Sequence, residues 1–518
     1  MAEIRRAQVF EVPMAADAAE LTEAPPLDHA AVRSIVIGVL LAMLLAALDQ
    51  TIVATALPTM GRELGDPEQL PWVVTSYLLT STAVTPLYGK LSDIHGRRLI
   101  LLIGIGTFVL GSLACALAPT MGILVVARGF QGLGGGGLIS LAQTIIADVV
   151  APRERGRYQG YIAGVFVTSS VAGPVLGGFF AEHLHWSMIF WINLPLGLVA
   201  LLMTDRALRR LPRHERPHRL DLLGALLMVL ATVMLLLALS WGGQRYPWGS
   251  APVVALFLGS AIFWALFVLR LWTAREPLLP LPVILNRVVA AGTATACWAM
   301  GVFIGLSIYV PIYLQSVLRL SASASGLAMI ALMGGTVTGA TASGRVMIHV
   351  RRYRRLPVAG LIVATLAVIA LALRPSGLPL GVVELLLTAI GLGVGTVLPV
   401  TTVAIQNAVE LHELGTATAS MNFFRSLGGA ILVAAFGAIL LGGIGANELE
   451  ALHRMPAAAA LPPGLAGVFG WVFAAAALGL LAAVGCLLMM PEHPLRGRLP
   501  MPVAGEAGGR DDAHRAAS

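Results

Sequence analysis

Three ionisable residues stand in stretches where a charge is expensive. The first long apolar run, Ala31 to Pro58, carries no charge between Arg33 and Asp49 and none from Asp49 to Pro58. At about 1.5 Å per residue such a run crosses a bilayer core of about 30 Å, and Asp49 lies about 13 Å from its Pro58 end. A carboxylate at that depth costs about 2.5–3.5 kcal/mol on insertion scales, so it should face a bundle interior, a water-filled cavity or a partner. In RGFQGLGGGG, Arg128 stands at a similar depth in another apolar run, about 10 Å from its outer end. An arginine there must be paired or hydrated. Asp49 is its candidate partner, and a proton arriving on the carboxylate would weaken the pair. Glu384 is a third intramembrane charge. It reads equally as a second proton acceptor, as a contact for a cationic substrate, or as a carboxylate reaching the outer interface.

These residues need elements long enough to bury them, and composition supplies them. The chain of 518 residues is 57% hydrophobic and 12% charged. Soluble domains run near about 25% charged, so the composition is that of a polytopic membrane protein. Apolar runs fall near 31–57, 72–90, 99–118, 121–147, 159–181, 187–204, 221–241, 251–271, 288–315, 324–344, 356–373, 379–404, 416–441 and 466–490, about fourteen spans. Alternate turns carry the bases: Lys90 (the lone lysine), Arg97 and Arg98; Arg153, Arg155 and Arg157; the run from Arg206 to Arg219; Arg275 and Arg287; and Arg345 to Arg355. That asymmetry places both termini in the cytoplasm and accounts for the net charge of +7 without nucleic acid. Cys115, Cys297 and Cys486 sit in separate runs with no CxxC, so neither a metal site nor a disulfide framework is expected. His183 and His185 make an H-x-H pair without a third ligand, and no metal is expected there either.

The resulting plan is 6 + 2 + 6: a tail over 1–30, a six-helix bundle over 31–204, and a basic linker over 205–220. Two inserted spans over 221–271 and a linker over 272–287 precede a second bundle over 288–490 and a tail over 491–518. The linker's charges read as a solvated cytoplasmic face attracted to anionic lipid.

The turn GKLSDIHGRR, from Gly89 to Arg98, has two glycines that permit a tight bend, while Asp93 can cap a helix or pair with Arg97. Its spacing resembles the signature loop of the major facilitator superfamily. The resemblance implies that Gly89, Asp93, Gly96, Arg97 and Arg98 form a gating loop. In it Asp93 and Arg97 join an acid ending the fourth span, here Asp148, in a charge cluster that latches the outward-open state. R-x-x-Q-G from Arg128 resembles the family's fourth-span motif, where the arginine is tied to proton coupling. Gly132, Gly134 and Gly137 also satisfy G-x-G-x-x-G, but no strand precedes them and close helix packing explains them better. GVFVTSSVAGPVLGGFF, with Gly173, Pro174, Gly177 and Gly178, resembles the motif of the superfamily's antiporters.

LDQTIVATALP, WVVTSYLL, WSMIFWINLPLG, YVPIYLQ, GLGVGTVLPVTTVAIQN and GTATASMNFFRSLGGAI resemble the fourteen-span drug:proton antiporter family over roughly residues 34–490. Two departures are Ser187, where that family usually has Arg, and Leu318-Arg319-Leu320, at a turn where Gly is common. The resemblance implies an all-α major facilitator fold in the bacterial inner membrane, a monomer working without a cofactor. Its expected task is proton-coupled efflux of hydrophobic, cationic compounds by alternating access. Asp49, Arg128 and Glu384 would handle protons. Trp72, Tyr77, Phe166, Tyr309 and Tyr313 are the aromatic candidates for a substrate cavity. Gln50, Gln131, Asn193 and Gln315 are the polar ones. Export of one dedicated metabolite, lipid or antibiotic on the same fold is the rival reading. An enzyme is not expected, since H-E-x-x-H, G-x-S-x-G and G-x-x-x-x-G-K-[ST] are all missing.

Overall fold

A computed structural model describes residues 29–66, 69–209, 220–243, 245–350, 352–443 and 465–495. Most of both expected tails and residues 210–219 of the basic linker lie outside the described residues. The first half comprises α1 (His29–Leu64), α2 (Leu70–His95), α3 (Arg97–Ala116), α4 (Met121–Val149), α5 (Pro152–His183), and a short α6 (Met188–Trp191) continued by α7 (Asn193–Leu208). Next come α8 (Leu222–Trp241), α9 (Ala251–Thr273) and the short α10 (Leu281–Leu285). The second half comprises α11 (Arg287–Ser316), α12 (Ala322–Met347), α13 (Arg355–Leu373), α14 (Leu380–Gly395) continued by α15 (Val397–Ala408), α16 (Leu414–Gly443) and α17 (Leu465–Met489).

Thirteen helices among the described residues are long and apolar enough to cross a bilayer. The remaining expected run is α2, whose Ser, Thr and terminal charges dilute its apolarity. Helix starts follow the sequence chemistry: Asp221 accepts from the Gly224 N–H at 3.0 Å, and Asn286 from the Val288 N–H at 2.9 Å.

Two features differ from the expected spans, and both trace to proline. First, α1 does not stop near Pro58 but runs through it to Leu64. Asp49 is therefore about 22 Å from the helix end, deeper than the apolar run alone implied. A membrane helix tolerates the missing N–H where neighbours re-satisfy the freed carbonyl. Second, the sixth and twelfth expected spans are each interrupted, at Ile192 and at Thr396. Pro195 and Pro399 lack the N–H that would bond the carbonyls of Trp191 and Gly395 four residues back, which is where the helices break.

The turn after α11 carries one of the two departures from the family pattern. Arg319 adopts φ +60°, the left-handed region, which glycine enters freely and a β-carbon disfavours by about 1–2 kcal/mol. The family's glycine thus has a backbone reason. Arg319→Gly is expected to raise thermal stability in detergent by about 0.5–1 kcal/mol, read as an upward shift in Tm.

The same pairings recur in both halves. In the first, α1 lies along α5, and α4 packs between α2 and α3. In the second, α11 lies along α16, and α14 packs between α12 and α13. Across the halves, α2 meets α16 and α5 meets α12, the exchange a two-fold pseudo-axis produces. The inserted α8 and α9 pack on each other, and α8 also rests on α2 and α16.

The halves touch at the end that carries the arginine-rich turns. There the backbones of Gly156 (α5) and Gly344 (α12) are so close that a β-carbon on either would clash with the other's carbonyl. One turn away, a β-carbon on Gly160 would sit 3.6 Å from Thr341, and one on Gly164 would meet nothing within 4 Å. Thus the contact of α5 with α12 is tightest at the Gly156–Gly344 crossing and already looser at Gly160.

Candidate functional site

Asp49 and Arg128 form a fully buried ion pair, 0% and 1% exposed, with 2.6 Å between Oδ2 and the guanidinium. Four helices, α1, α3, α4 and α7, build the carboxylate's side of the pocket. From α4, Gln131 stands one turn beyond Arg128 and donates through Nε2 to Asp49 Oδ1 at 2.8 Å. From the start of α7, Asn193 donates through Nδ2 to the same oxygen at 3.0 Å. Ser112 of α3 lies beneath both amides, accepting from Gln131 at 2.7 Å and from Asn193 at 3.3 Å. The carboxylate therefore holds three donors, two of them neutral.

The arginine is held independently of the carboxylate. Its Nε donates to the Val73 carbonyl at 3.0 Å, and its Nη1 donates to Gln131 Oε1 at 2.6 Å. The guanidinium lies 4.4 Å over the Tyr77 ring and 5.7 Å from that of Phe190, cation–π contacts that strengthen when desolvated. The chemical consequence is specific. A proton on Asp49 cancels the Coulomb attraction but leaves Arg128 two acceptors and an aromatic bed, so the positive charge stays in place. Next to Asp49, Gln50 is exposed, while Tyr77, Gln131 and Asn193 are buried.

At the arginine-rich end, the Gly89–Arg98 loop assembles a second cluster. Arg97 pairs with Asp93 and donates through Nε to Asp148 at 2.9 Å and through Nη1 to Ser92 at 2.8 Å. Asp93 also reaches the other half. It accepts from the Gly415 N–H at 3.1 Å, from the Thr416 N–H at 2.8 Å and from the Thr416 hydroxyl at 2.6 Å. These are the free amides that open α16, where the helix dipole favours an anion. Gly89 lets the backbones approach: a β-carbon on it would lie 2.6 Å from the Gly415 carbonyl. Gly96 turns at φ +88°. Arg98 binds Asp205 at the end of α7, which Arg209 also pairs at 2.7 Å.

The antiporter-motif residues divide. Gly173 and Gly177 of α5 face Thr51, Ile52 and Thr55 of α1, and a β-carbon on either would overlap those threonine hydroxyls. Thr51 donates to the Ser169 carbonyl at 2.8 Å, locking this contact beside Asp49. Gly178 has nothing within 4 Å, and Pro174 is exposed. Gly173→Ala is accordingly expected to lower stability in detergent by about 1–3 kcal/mol through overpacking. Gly178→Ala should be neutral or stabilising by up to about 1 kcal/mol, and thermal unfolding of the two variants separates them.

The cavity candidates scatter. The Tyr77 ring packs under Arg128. Tyr313 is buried between Phe469 and Phe473, ring centroids 5.5 and 5.1 Å away, as part of the second half's core. Trp72 meets Trp241 of α8 edge-on at 5.9 Å. Phe166 is partly buried against the first half's core. Tyr309 donates to the Val433 carbonyl at 3.1 Å, and Gln315 is exposed. Glu384 is half-buried on α14, which packs against α12 and α13. His183 stacks on Phe179, whereas His185 pairs with Glu63 at 3.1 Å, so the H-x-H residues diverge. Ser187 accepts or donates at 2.8 Å with His185 Nδ1.

Residues 39–433 match the Major Facilitator Superfamily. The chain belongs to that family. A Mycobacterium tuberculosis relative described as an uncharacterized MFS-type transporter is 38% identical over 400 residues, 77% of this chain and 58% of that protein. The chain thus spans less than two thirds of that relative's length. The multidrug transporter protein MdtP of Bacillus subtilis is 34% identical over 413 residues, covering 78% of this chain and 75% of that protein. Among solved structures, the proton:xylose symporter XylE superposes with a TM-score of 0.60 at 15% identity, covering 90% of this chain and 98% of that one. That likeness speaks to the fold. Like other major facilitators, this is a multi-pass membrane protein.

Several residues of this major facilitator's interior escaped sequence reasoning. Ser112 and the Thr416 amide look unremarkable in an apolar context. Asp205 heads a run of bases, whose charge hides it in the sequence. A buried amide layer also joins the halves: Asn422 (α16) donates to Gln143 Oε1 (α4) at 2.8 Å, and Gln406 (α15) to the Gln143 carbonyl at 3.4 Å. Finally, the count of three intramembrane charges was short by one. Arg425 lies within α16, about 16 Å from Leu414 and about 27 Å from Gly443 along the axis.

Proposed function

We propose that this protein is a secondary exporter that exchanges protons for hydrophobic compounds, including drugs, by alternating access. Two six-helix bundles, 31–204 and 288–490, rock about the gap between them. The pair 221–271 is an accessory insertion, and the arginine-rich end lies in the cytoplasm with both tails. The protein works as a monomer. The observation that carries the reading is the dry Asp49–Arg128 pair: an ionisable acid, desolvated, sharing its pocket with a cation that stays bound when the acid is neutralised. Such a pair converts protonation into a local change of charge that the surrounding helices must accommodate. The packing of Gly173 and Gly177 against the Asp49 helix links that change to α5, one of the two seams between halves. The names of the relatives support drugs as cargo, and the close packing of the halves at the arginine-rich end supports an outward-open state.

The test is reconstitution of the purified protein in vesicles that carry a pH-reporting dye, under an imposed proton gradient. Positively charged, neutral and negatively charged apolar dyes are offered in turn. At least one dye should move against its own gradient and collapse the proton gradient in step. Dye movement indifferent to removal of the gradient by an ionophore would overturn proton coupling.

A further inference from the structure

Arg425 is a charge in mid-span with no counter-charge. Among the described residues no carboxylate lies within ion-pairing distance of its guanidinium, and no acceptor holds it by a hydrogen bond. The other interior charges do not serve it. Asp49 is committed to Arg128, and Glu384 sits on α14, which packs against α12 and α13.

The direction it faces follows from its neighbours on α16. At about 100° per residue, Thr418, Asn422, Arg425 and Gly429 share an arc of about 60°. Thr418 accepts from Gln406 of α15 at 3.3 Å, and Asn422 reaches Gln143 of α4 at 2.8 Å, so this stripe looks into the space between the halves. To one side, Gly415 faces the α2 loop, and to the other, Gly428 faces Cys297 of α11. Arg425 stands a turn beyond Asn422, the last residue of α16 to hydrogen-bond the first half, and its own exposure is intermediate. It is thus the first side chain above the amide layer on the face of α16 that looks toward the first half. Ile304 of α11, in contact with the Gly429 position one turn further, offers an apolar wall beside it.

We propose that Arg425 anchors an amphiphilic anion in the gap between the halves, and that the exported compounds carry a carboxylate, sulfonate or phosphate on an apolar body. A guanidinium presents a planar fork that matches such groups with two parallel hydrogen bonds. An unpaired intramembrane arginine facing a cavity marks a ligand or pathway site rather than a structural one. The inference rests on the transport reading above for the word exported, and it replaces the expectation of cationic cargo. The anion site itself stands on the placement of Arg425 alone.

The experiment uses the full-length protein in phosphatidylcholine discs and three probes with one aromatic body: pyrenebutyrate, pyrenebutanol and pyrenebutyl-trimethylammonium. Binding is measured by equilibrium dialysis against protein-free discs. Wild type should hold pyrenebutyrate at least about tenfold more tightly than either analogue, as two charge-assisted hydrogen bonds imply. Arg425→Gln should erase that preference and leave pyrenebutanol within about twofold of wild type. Arg425→Lys, which keeps the charge and loses the fork, should retain part of the preference, and it decides the matter if Arg425→Gln does not fold. Equal binding of the three probes by wild type, a preference that survives Arg425→Gln, or none in a folded Arg425→Lys would overturn the proposal. Loss of pyrenebutyrate binding when a tenth of the lipid is phosphatidylglycerol would give the site to a lipid headgroup and overturn the cargo assignment. Intact preference with no gradient-driven transport of any probe would defeat the exporter reading and leave the anion site standing.

Discussion

Asp49→Asn should abolish concentrative transport while leaving downhill exchange. The amide is the same size as the carboxylate, and its oxygen can still accept from Gln131 or Asn193. What it loses is the ability to take and release a proton. Arg128 keeps the Val73 carbonyl, Gln131 Oε1 and the Tyr77 ring, so the pocket does not fall apart. It does lose its counter-charge, and truncating one member of a buried pair costs about 3–5 kcal/mol of stability. The double variant Asp49→Asn/Arg128→Gln should recover most of that stability and none of the coupling. A gradient of about two pH units is about 2.7 kcal/mol per proton, enough for about a hundredfold accumulation. In Asp49→Asn vesicles the accumulation ratio should fall to unity. A variant that still concentrates substrate would remove Asp49 from the coupling step and point to Glu384.

The second large effect concerns the latch. Asp93→Asn should shift the resting protein from closed to open at its arginine-rich end. As a carboxylate, Asp93 accepts from two backbone amides and a hydroxyl at the start of α16 while balancing Arg97. Hydrogen bonds to a charged group contribute about 1.5–3 kcal/mol, and an anion at a helix N-terminus adds about 0.3–1 kcal/mol. An asparagine oxygen retains one acceptor and surrenders the charge. The loss corresponds to a change of about tenfold to a hundredfold in the ratio of closed to open molecules. Spin labels at Arg157→Cys on α5 and Val346→Cys on α12, both exposed beside the Gly156–Gly344 contact, report it as a longer distance between them. An unchanged distance distribution in Asp93→Asn would show that Gly156, Gly344 and the amide layer around Gln143 hold the end shut without the carboxylate.

What could be read from residues alone was governed by locality. The depth of Asp49 and Arg128 follows from uninterrupted apolar runs, and the energetic cost of stranding a charge there makes their pairing nearly forced. The Gly89–Arg98 loop was legible because its glycines and charges lie at a short, fixed spacing in the sequence, although their partners Asp148, Asp205, Gly415 and Thr416 lie far along the chain. Facing was not legible. Tyr77 and Tyr313 have the composition of cavity walls, yet one supports a guanidinium and the other fills a core between α11 and α17; only the neighbouring helix decides. Partners that offer backbone, such as the Val73 carbonyl and the Thr416 amide, leave no trace in residue type. Arg425 passed unnoticed because Asn422 and Ser426 soften the apolar run around it. The continuation of α1 through Pro58 depended on neighbours re-satisfying a carbonyl, which no local rule supplies.

The inserted helices make the molecule lopsided in the plane of the bilayer. With α8 resting on both α2 and α16, Trp241 against Trp72, and Trp264 against Phe423, one of the two seams between the halves is shielded from lipid along its outer surface. The seam of α5 and α12 has no such cover among the described helices, and it is the one whose glycine contacts loosen from Gly156 to Gly164. An apolar compound dissolved in the membrane therefore meets two different doors. One is upholstered shut by tryptophan, and the other is bare, so lateral traffic between the acyl chains and the interior has a single side to use.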